Sequence, residues 1–168
     1  MSVPDIRVGQ GFDVHRFSDD PRRTLVLGGC TFPDSPGLEG HSDADVIAHT
    51  CADALLGAAG LGDIGMHFPD TDPRFAGADS MVLLDHVVAL LDEHGWSVVN
   101  VHASVICEQP KLAPRRNEIE ASLTGRVGAP VSVTGNRAEG LGAIGRREGI
   151  ACLAVALIAR RSSVVEQG

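Results

Sequence analysis

Asp13 and His15 stand two residues apart in Gly11-Phe12-Asp13-Val14-His15, a carboxylate and an imidazole within an apolar, β-prone run. In a strand successive side chains alternate faces, so Asp13 and His15 point one way and Phe12 and Val14 the other. Two ligands then meet one metal ion. A third comes from His41-Ser42-Asp43-Ala44-Asp45-Val46-Ile47-Ala48-His49, which opens on helix-capping residues and runs on through Asp53, Leu55 and Leu56. A helix capped near Ser42 or Asp43 sets Asp45, His49 and Asp53 on one stripe, with Ile47, Cys51, Ala54, Leu55 and Ala58 turned elsewhere. His49 is then the third ligand. Two histidines and one carboxylate around a divalent ion, with a position left open, form the donor set of a catalytic zinc site rather than a closed structural one. On spacing alone, Asp13 and His15 also fit a structural ion pair beside satisfied polar histidines.

These residues need a scaffold, and the chain supplies one. Arg7 to His15 reads as a strand, and Arg23 to Phe32 as a second segment broken at Gly28-Gly29, a hairpin or bulge. Pro33 to Gly40 is a loop leading into the long helix, which ends near Gly57 or Gly60. Leu61 to Pro73 is loop-forming yet carries three carboxylates, a histidine and an aromatic ring, which suits a flap over a ligand as well as a solvated connector. Asp79-Ser80 caps a second helix, with Leu84, Val87, Val88 and Leu91 at helical spacing and Gly95 as its stop. His86 and His94 on it have no ligand-spaced partners and are read as surface or structural. Val98 to Cys107 alternates, placing Val99, Val101, Ala103 and Val105 on one face. Arg116 to Thr124 is a third helix with Ile119 and Leu123 inward, and Val131 to Thr134 returns to β structure. Ile150 to Ile158 closes as a strand, although its alanines also permit a helix. The expected fold is α+β and sandwich-like, one mixed β-sheet backed by helices with a ferredoxin-like core, in a single domain over residues 1–168 whose last residues, 162–168, form a loose tail.

The 168 residues suffice for one buried core, and a 43% hydrophobic, 21% charged composition carries no signature of disorder. A net charge of -8 excludes general nucleic-acid binding, which requires a basic surface, and means that an anionic substrate needs bound cations. Cys30, Cys51, Cys107 and Cys152 lie far apart with no C-x-x-C pair, so free buried thiols in a reducing compartment are expected. Neither a signal region nor a membrane-spanning apolar run is present, which reads as cytoplasmic.

Several spaced motifs together resemble the 2-C-methyl-D-erythritol 2,4-cyclodiphosphate synthase family of the non-mevalonate isoprenoid pathway. They are Gly9-x-Gly11-Phe12-Asp13-Val14-His15, His41-Ser42-Asp43-x-Asp45-Val46, Asp53 to Ala58, Leu61-Gly62-Asp63-Ile64-Gly65, Phe68-Pro69-Asp70-Thr71-Asp72-Pro73, Gly77 to Ser80, Pro110-Lys111 and Gly149-Ile150-Ala151. The likeness spans nearly the whole chain in collinear order. It implies a homotrimer with a three-fold axis and active sites between subunits, converting 4-diphosphocytidyl-2-C-methyl-D-erythritol 2-phosphate into the cyclic diphosphate and CMP. Carried over residue by residue, it implies zinc ligands at Asp13, His15 and His49, and phosphate contacts at His41 and Ser42, with His41 stabilising the transition state. Substrate contacts extend to Asp13, Val14 and His15. The erythritol-binding positions fall on Asp63, Ile64 and Gly65 and on Phe68, Pro69, Asp70, Thr71 and Asp72. The cytidine pocket falls on Cys107, Glu108, Gln109, Pro110, Lys111, Leu112 and Ala113. Glu139 matches the carboxylate that helps hold a magnesium or manganese ion between the α and β phosphates. Asn136, Arg137, Ala138, Ala143 and Arg146 complete the substrate-facing set. Asp53, a turn beyond His49, is open between an outer hydrogen bond to ligand or substrate and a capping or solvated role.

The chain departs from the family pattern where a run of threonines is usual. It reads Asn136-Arg137-Ala138-Glu139, so Arg137 replaces a hydroxyl expected to bond a phosphate. Arginine also binds phosphate, but its length changes the geometry of that second transition-state contact. Ala143 lacks the large side chain often found there. Arg146 and Arg147, gathered from three subunits, would crowd like charges that an isoprenoid diphosphate in a central cavity relieves. Two other activities fit the same residues: a zinc phosphohydrolase releasing open-chain products, and an inert, metal-stabilised trimer.

Overall fold

A computed structural model describes residues 5–161, so the tail expected over 162–168 lies outside the described residues. The elements are β1 (Ile6–Arg16), β2 (Thr24–Leu27), β3 (Cys30–Pro36), α1 (Val46–Ala59), α2 (Ile64–His67), α3 (Ser80–Glu93), β4 (Trp96–Ile106), α4 (Arg116–Val127), β5 (Val131–Asn136), α5 (Gly142–Gly145) and β6 (Gly149–Arg160). Among the described residues they form a four-stranded sheet of order β1-β6-β4-β5 and a separate two-stranded sheet, β2-β3. The second segment of the chain is thus a hairpin beside the main sheet and not part of it. β6 runs antiparallel to both β1 and β4, and β4 and β5 are parallel. β1 and β4 with β6 between them make the split βαβ expected of a ferredoxin-like core, while the adjacent parallel pair β4-β5, joined through α4, is a feature that core lacks.

The helices cover one face of the sheet. α1 lies over β1 and β6, α4 over β5, and α3 packs against α1 and α4. Leu55, Leu56, Leu84, Leu91, Ile119, Leu123, Ile150 and Ile158 are fully buried between these layers. Each such side chain contributes about 1.5–3 kcal/mol relative to exposure. β6 is a strand despite its alanines, because small side chains on its inner face let α1 approach. Among the described residues no helix covers the other face of the sheet: Ile6, Val8, Phe12 and Val14 of β1 and Val155 of β6 are exposed.

The seat of α1 on β1 is made by two glycines. A Cβ on Gly9 would lie 2.1 Å from the Ala54 carbonyl oxygen, and one on Gly11 would lie 2.1 Å from that of Thr50. Strand backbone therefore touches helix backbone. Gly9, Gly11, Asp13 and His15 share this face by the two-residue period of the strand, so the glycines set the gap across which Asp13 and His15 meet the helix.

Two expectations change here. α1 is capped by Asp45 and not by Ser42 or Asp43, so Asp45 leaves the His49 and Asp53 stripe. Its buried carboxylate accepts N–H bonds from Gly28 at 2.8 Å, Gly29 at 2.7 Å, Ile47 at 3.1 Å and Ala48 at 3.2 Å. One side chain thereby ties the hairpin turn, where Gly28 and Gly29 both have positive φ, to the helix start. In β4 the register shifts between Val98 and Asn100, which turns Val99 out to solvent and brings Trp96 to the core face instead. The alternation Val101, Ala103, Val105 holds beyond that bulge. Cys30, Cys51, Cys107 and Cys152 are free and buried, as expected.

Candidate metal and nucleotide site

Asp13, His15 and His49 each offer a ligand atom, and these atoms all lie within 4.8 Å of one another. Asp13 Oδ2 is 2.9 Å from His15 Nε2 and 3.1 Å from His49 Nδ1, and the two nitrogens are 3.4 Å apart. A tetrahedral zinc ion with bonds of about 2.0–2.1 Å holds its ligands about 3.3 Å apart. The donor set therefore fits one such ion.

His15 Nδ1 lies 2.5 Å from the Glu39 carbonyl oxygen, which only accepts, so Nδ1 carries the proton and Nε2 presents a lone pair. Ser80 Oγ gives its single proton to the Asp43 carboxylate and so accepts from His49 Nε2 at 2.8 Å. Ser42 Oγ lies 3.0 Å from the same nitrogen. His49 Nδ1 is thus the free lone pair. With both rings neutral, two imidazole lone pairs and a carboxylate oxygen converge on one point, the donor arrangement that suits a cation, and each ring is oriented by what its other nitrogen donates to. In the metal-free protein a proton fills part of that role. Burial opposes the charge on Asp13, but the bonds from His15 and His49 outweigh it and hold the carboxyl well below the usual carboxylate range. Burial likewise lowers His15, but its bond to Asp13 carries the imidazole above its ordinary 6.5.

Beside the triad, a cavity of about 140 Å³ is lined by His41, Ser42, His49, Ile64, Phe68, Asp70, Phe75 and Leu83. The flap that forms its wall is more ordered than a loop. Asp63 caps α2 by accepting the Met66 N–H, Phe68 N–H bonds to the Ile64 carbonyl at 2.8 Å, and Phe68 meets Phe75 edge-on, with centroids 5.3 Å apart. His41 Nε2 lies 3.0 Å from the Asp72 carbonyl oxygen, which fastens the flap's far end. Asp72 also pairs with Arg74 and accepts its N–H. Gly65, Asp70 and Thr71 are exposed along this segment, and Pro69 accepts the Asp72 N–H. Val14 turns its side chain to the open face of the sheet, while its N–H bonds to Asp13 Oδ1 at 2.8 Å.

A second cavity, of about 280 Å³, lies past the carboxyl ends of β4 and β5. Cys107, Glu108, Gln109, Pro110, Lys111, Leu112 and Ala113 line it with Arg116, Gly135, Asn136, Arg137 and Arg147. The whole expected nucleotide segment is therefore in one place, under four cationic side chains. Arg137 points at Glu108: its Nε and Nη2 lie 3.1 and 2.9 Å from Oε2, and Oε1 accepts the Gly140 N–H at 3.2 Å. The Gly140 N–H and Arg137 together lower the Glu108 carboxyl. Glu139, with φ of 52°, sits on the loop so held, exposed and outside the triad. Ala138 precedes it, Ala143 lies on α5, and Arg146 pairs with Glu148 at 2.6 Å. No residue lines both cavities.

The sequence reading missed Ser80, Asp43 and the Glu39 carbonyl as supports of the ligands, and Arg23, whose guanidinium holds the Leu38 and Ser42 carbonyls at 2.7 and 2.8 Å. The motifs His41-Ser42-Asp43 and Asp79-Ser80 contained Asp43 and Ser80 without their supporting role. His86 is exposed beside Phe68, and His94 closes α3 with Nδ1 2.8 Å from the Leu90 carbonyl.

Comparison with known proteins agrees with this geometry. The YgbB family profile matches residues 6–159. The 2-C-methyl-D-erythritol 2,4-cyclodiphosphate synthase of Bordetella petrii is 52% identical over 165 residues, covering 96% of this chain and all of the relative. In structure, the bifunctional IspDF of Campylobacter jejuni superposes with a TM-score of 0.90 at 37% identity, matching 95% of this chain, which spans 44% of that protein's length. The Plasmodium falciparum IspF–CDP complex superposes with a TM-score of 0.82 at 32% identity, over 96% of this chain and all of its own. With its ligand triad, flap and basic cavity on the sheet of these proteins, the chain belongs to the YgbB family.

Proposed function

We propose that the chain converts 4-diphosphocytidyl-2-C-methyl-D-erythritol 2-phosphate into 2-C-methyl-D-erythritol 2,4-cyclodiphosphate and CMP, as a phosphorus–oxygen lyase of non-mevalonate isoprenoid precursor synthesis. The observation that carries this reading is the convergence of two imidazole lone pairs and a carboxylate beside a flap, in a chain 52% identical to a synthase of that name. The substrate's own 2-phosphate attacks its β-phosphorus and CMP leaves, so the protein supplies neither nucleophile nor activated water. Catalysis rests on positioning and charge neutralisation.

The roles are carried over from the family resemblance, and the positions of the triad, the flap and the larger cavity support them. Asp13, His15 and His49 hold zinc, which when bound supplies Lewis acidity and a template at the β-phosphate. Glu139 would contribute a carboxylate to a magnesium or manganese ion, which when bound would supply charge neutralisation for the diphosphate. His41 and Ser42, at the mouth of the smaller cavity, contact phosphate. Asp63 to Gly65 and Phe68 to Asp72 enclose the erythritol end. Cys107 to Ala113 take the cytidine, a reading supported by the CDP carried in the Plasmodium falciparum structure. Arg137, committed to Glu108, shapes the pocket rather than standing free for phosphate.

The active protein is a homotrimer. Two features support it: an uncovered apolar sheet face on β1 and β6, and two cavities with no shared lining residue, as expected when neighbouring subunits complete each site. Arg146 remains the candidate for an isoprenoid diphosphate on the three-fold axis, whereas Arg147 lines the larger cavity. No helix among the described residues is long and apolar enough to cross a membrane, and cytoplasmic residence is part of the proposal. The test is product analysis after incubation with the diphosphocytidyl substrate and magnesium. CMP with the cyclic diphosphate is expected; open-chain phosphates would make the chain a hydrolase, and unchanged substrate would refute the activity.

A further inference from the structure

Asp53 follows His49 by one helical turn, on the same face of α1. Its side chain is half-buried, and Oδ1 accepts the Ile64 N–H at 2.7 Å. That N–H belongs to the first residue of α2, and the Ile64 carbonyl in turn accepts from Phe68. Ile64 and Phe68 are walls of the small cavity that His49 also lines. One carboxylate therefore connects the helix that carries a metal ligand to the flap that encloses the adjacent space. The flap's far end is fixed separately, where His41 meets the Asp72 carbonyl.

We propose that Asp53 is a positioning residue for the cyclisation: it fixes the Ile64–Phe68 wall relative to His49, so that the polyol end of the substrate is folded back toward the metal-bound phosphate. This rests on the function proposed above and deepens it. A carboxylate suits the task because the bond is charge-assisted, and it is the side-chain tie to α1 beyond the main-chain bond from Leu61 to the Leu56 carbonyl. Misplacement of reacting groups by about 1 Å costs on the order of a hundredfold in rate, and the same displacement leaves nucleotide and metal binding, made elsewhere, in place.

Asp53→Ala should keep one metal per chain, bind CDP as the unaltered protein does, and lose about ten- to a hundredfold in kcat. Asp53→Asn, which retains the accepting oxygen, should recover most of that loss. Amide exchange at Ile64 should accelerate in Asp53→Ala and not in Asp53→Asn. Loss of metal in Asp53→Ala, unchanged kcat, or an Asn variant as slow as the Ala variant would each overturn the proposal, the last by assigning the carboxylate to direct substrate contact. If the unaltered protein turns over no substrate, the functional reading falls. Ile64 exchange still decides the anchor, and an unaltered rate in Asp53→Ala sinks it.

Discussion

Gly11→Ala is expected to empty the metal site without touching a ligand. The added Cβ would lie 2.1 Å from the Thr50 carbonyl oxygen and 2.9 Å from the Ala54 amide nitrogen. Both are helix backbone, so no side chain can swing aside and α1 itself has to move. Restoring ordinary contact takes about 1.3 Å. His49 precedes Thr50 on the same turn, so the shift carries its Nδ1 away from Asp13 and His15. Ligand distances in metal sites tolerate about 0.2 Å, far less than this displacement. Overpacking of this kind costs about 1–3 kcal/mol, which a domain of ordinary stability survives. The variant should therefore fold with a lowered Tm and bind metal about a hundredfold more weakly, read by chelator competition and elemental analysis after gel filtration. Gly57→Ala is the matched control. A Cβ there meets nothing nearer than the Gln10 carbonyl oxygen at 3.8 Å, so it should gain about 0.5–1 kcal/mol from helix propensity and keep the metal. Unaltered metal affinity in Gly11→Ala, or equal Tm changes in the two variants, would refute the idea that these glycines set the ligand gap.

Protons compete with the metal, and the sign is fixed by the shifts in the metal-free protein. His15 is raised above 6.5, against burial, by its bond to Asp13, so its contribution to stability is complete below pH 6.5 and is lost as pH rises through the raised value. Asp13 is lowered, so its contribution is present above pH 3.8 and is lost as pH falls through the lowered value. Chelator-treated protein should thus have its highest Tm between these limits as far as this pair decides it, and His15→Gln should remove the alkaline decline. Metal affinity should rise about tenfold per pH unit below the His15 transition and level off above it, measurable by competition titration. Glu108→Ala releases both Arg137 and the Gly140 N–H and should weaken CDP binding about tenfold by calorimetry, with metal content unchanged. Val8→Lys places a charge on the uncovered sheet face, 67% exposed in the single chain; sedimentation should show smaller species than the unaltered protein.

The strand's two-residue period put Asp13 and His15 on one face, a local rule that survives folding, but their union with His49, 36 and 34 residues away from them, came from the family resemblance, because spacing alone also fitted a structural ion pair. The cap of α1 was not legible. Ser42, Asp43 and Asp45 are all good capping residues, and the choice among them is made by the Gly28-Gly29 turn, whose N–H groups need Asp45. Val99 was misplaced for a similar reason, since a bulge breaks alternation without leaving a mark in residue types. α2 went unread because four residues flanked by glycines and proline carry no helical period. Ser80 and Asp43 as supports of His49, and Asp53 as the anchor of Ile64, are products of tertiary approach between segments about 10–40 residues apart, which spacing cannot reveal.

The two ligand histidines are steadied in unlike ways. His15 leans on the main-chain oxygen of residue 39, which any amino acid supplies, so that position is free to drift while the ring keeps its attitude. His49 leans on two hydroxyls, that of Ser80 backed by Asp43, and there an exchange of Ser80 for alanine removes the nearer acceptor and leaves the ring to Ser42 alone. Mutational tolerance around this centre should accordingly be lopsided, generous on the strand side and narrow where α3 begins.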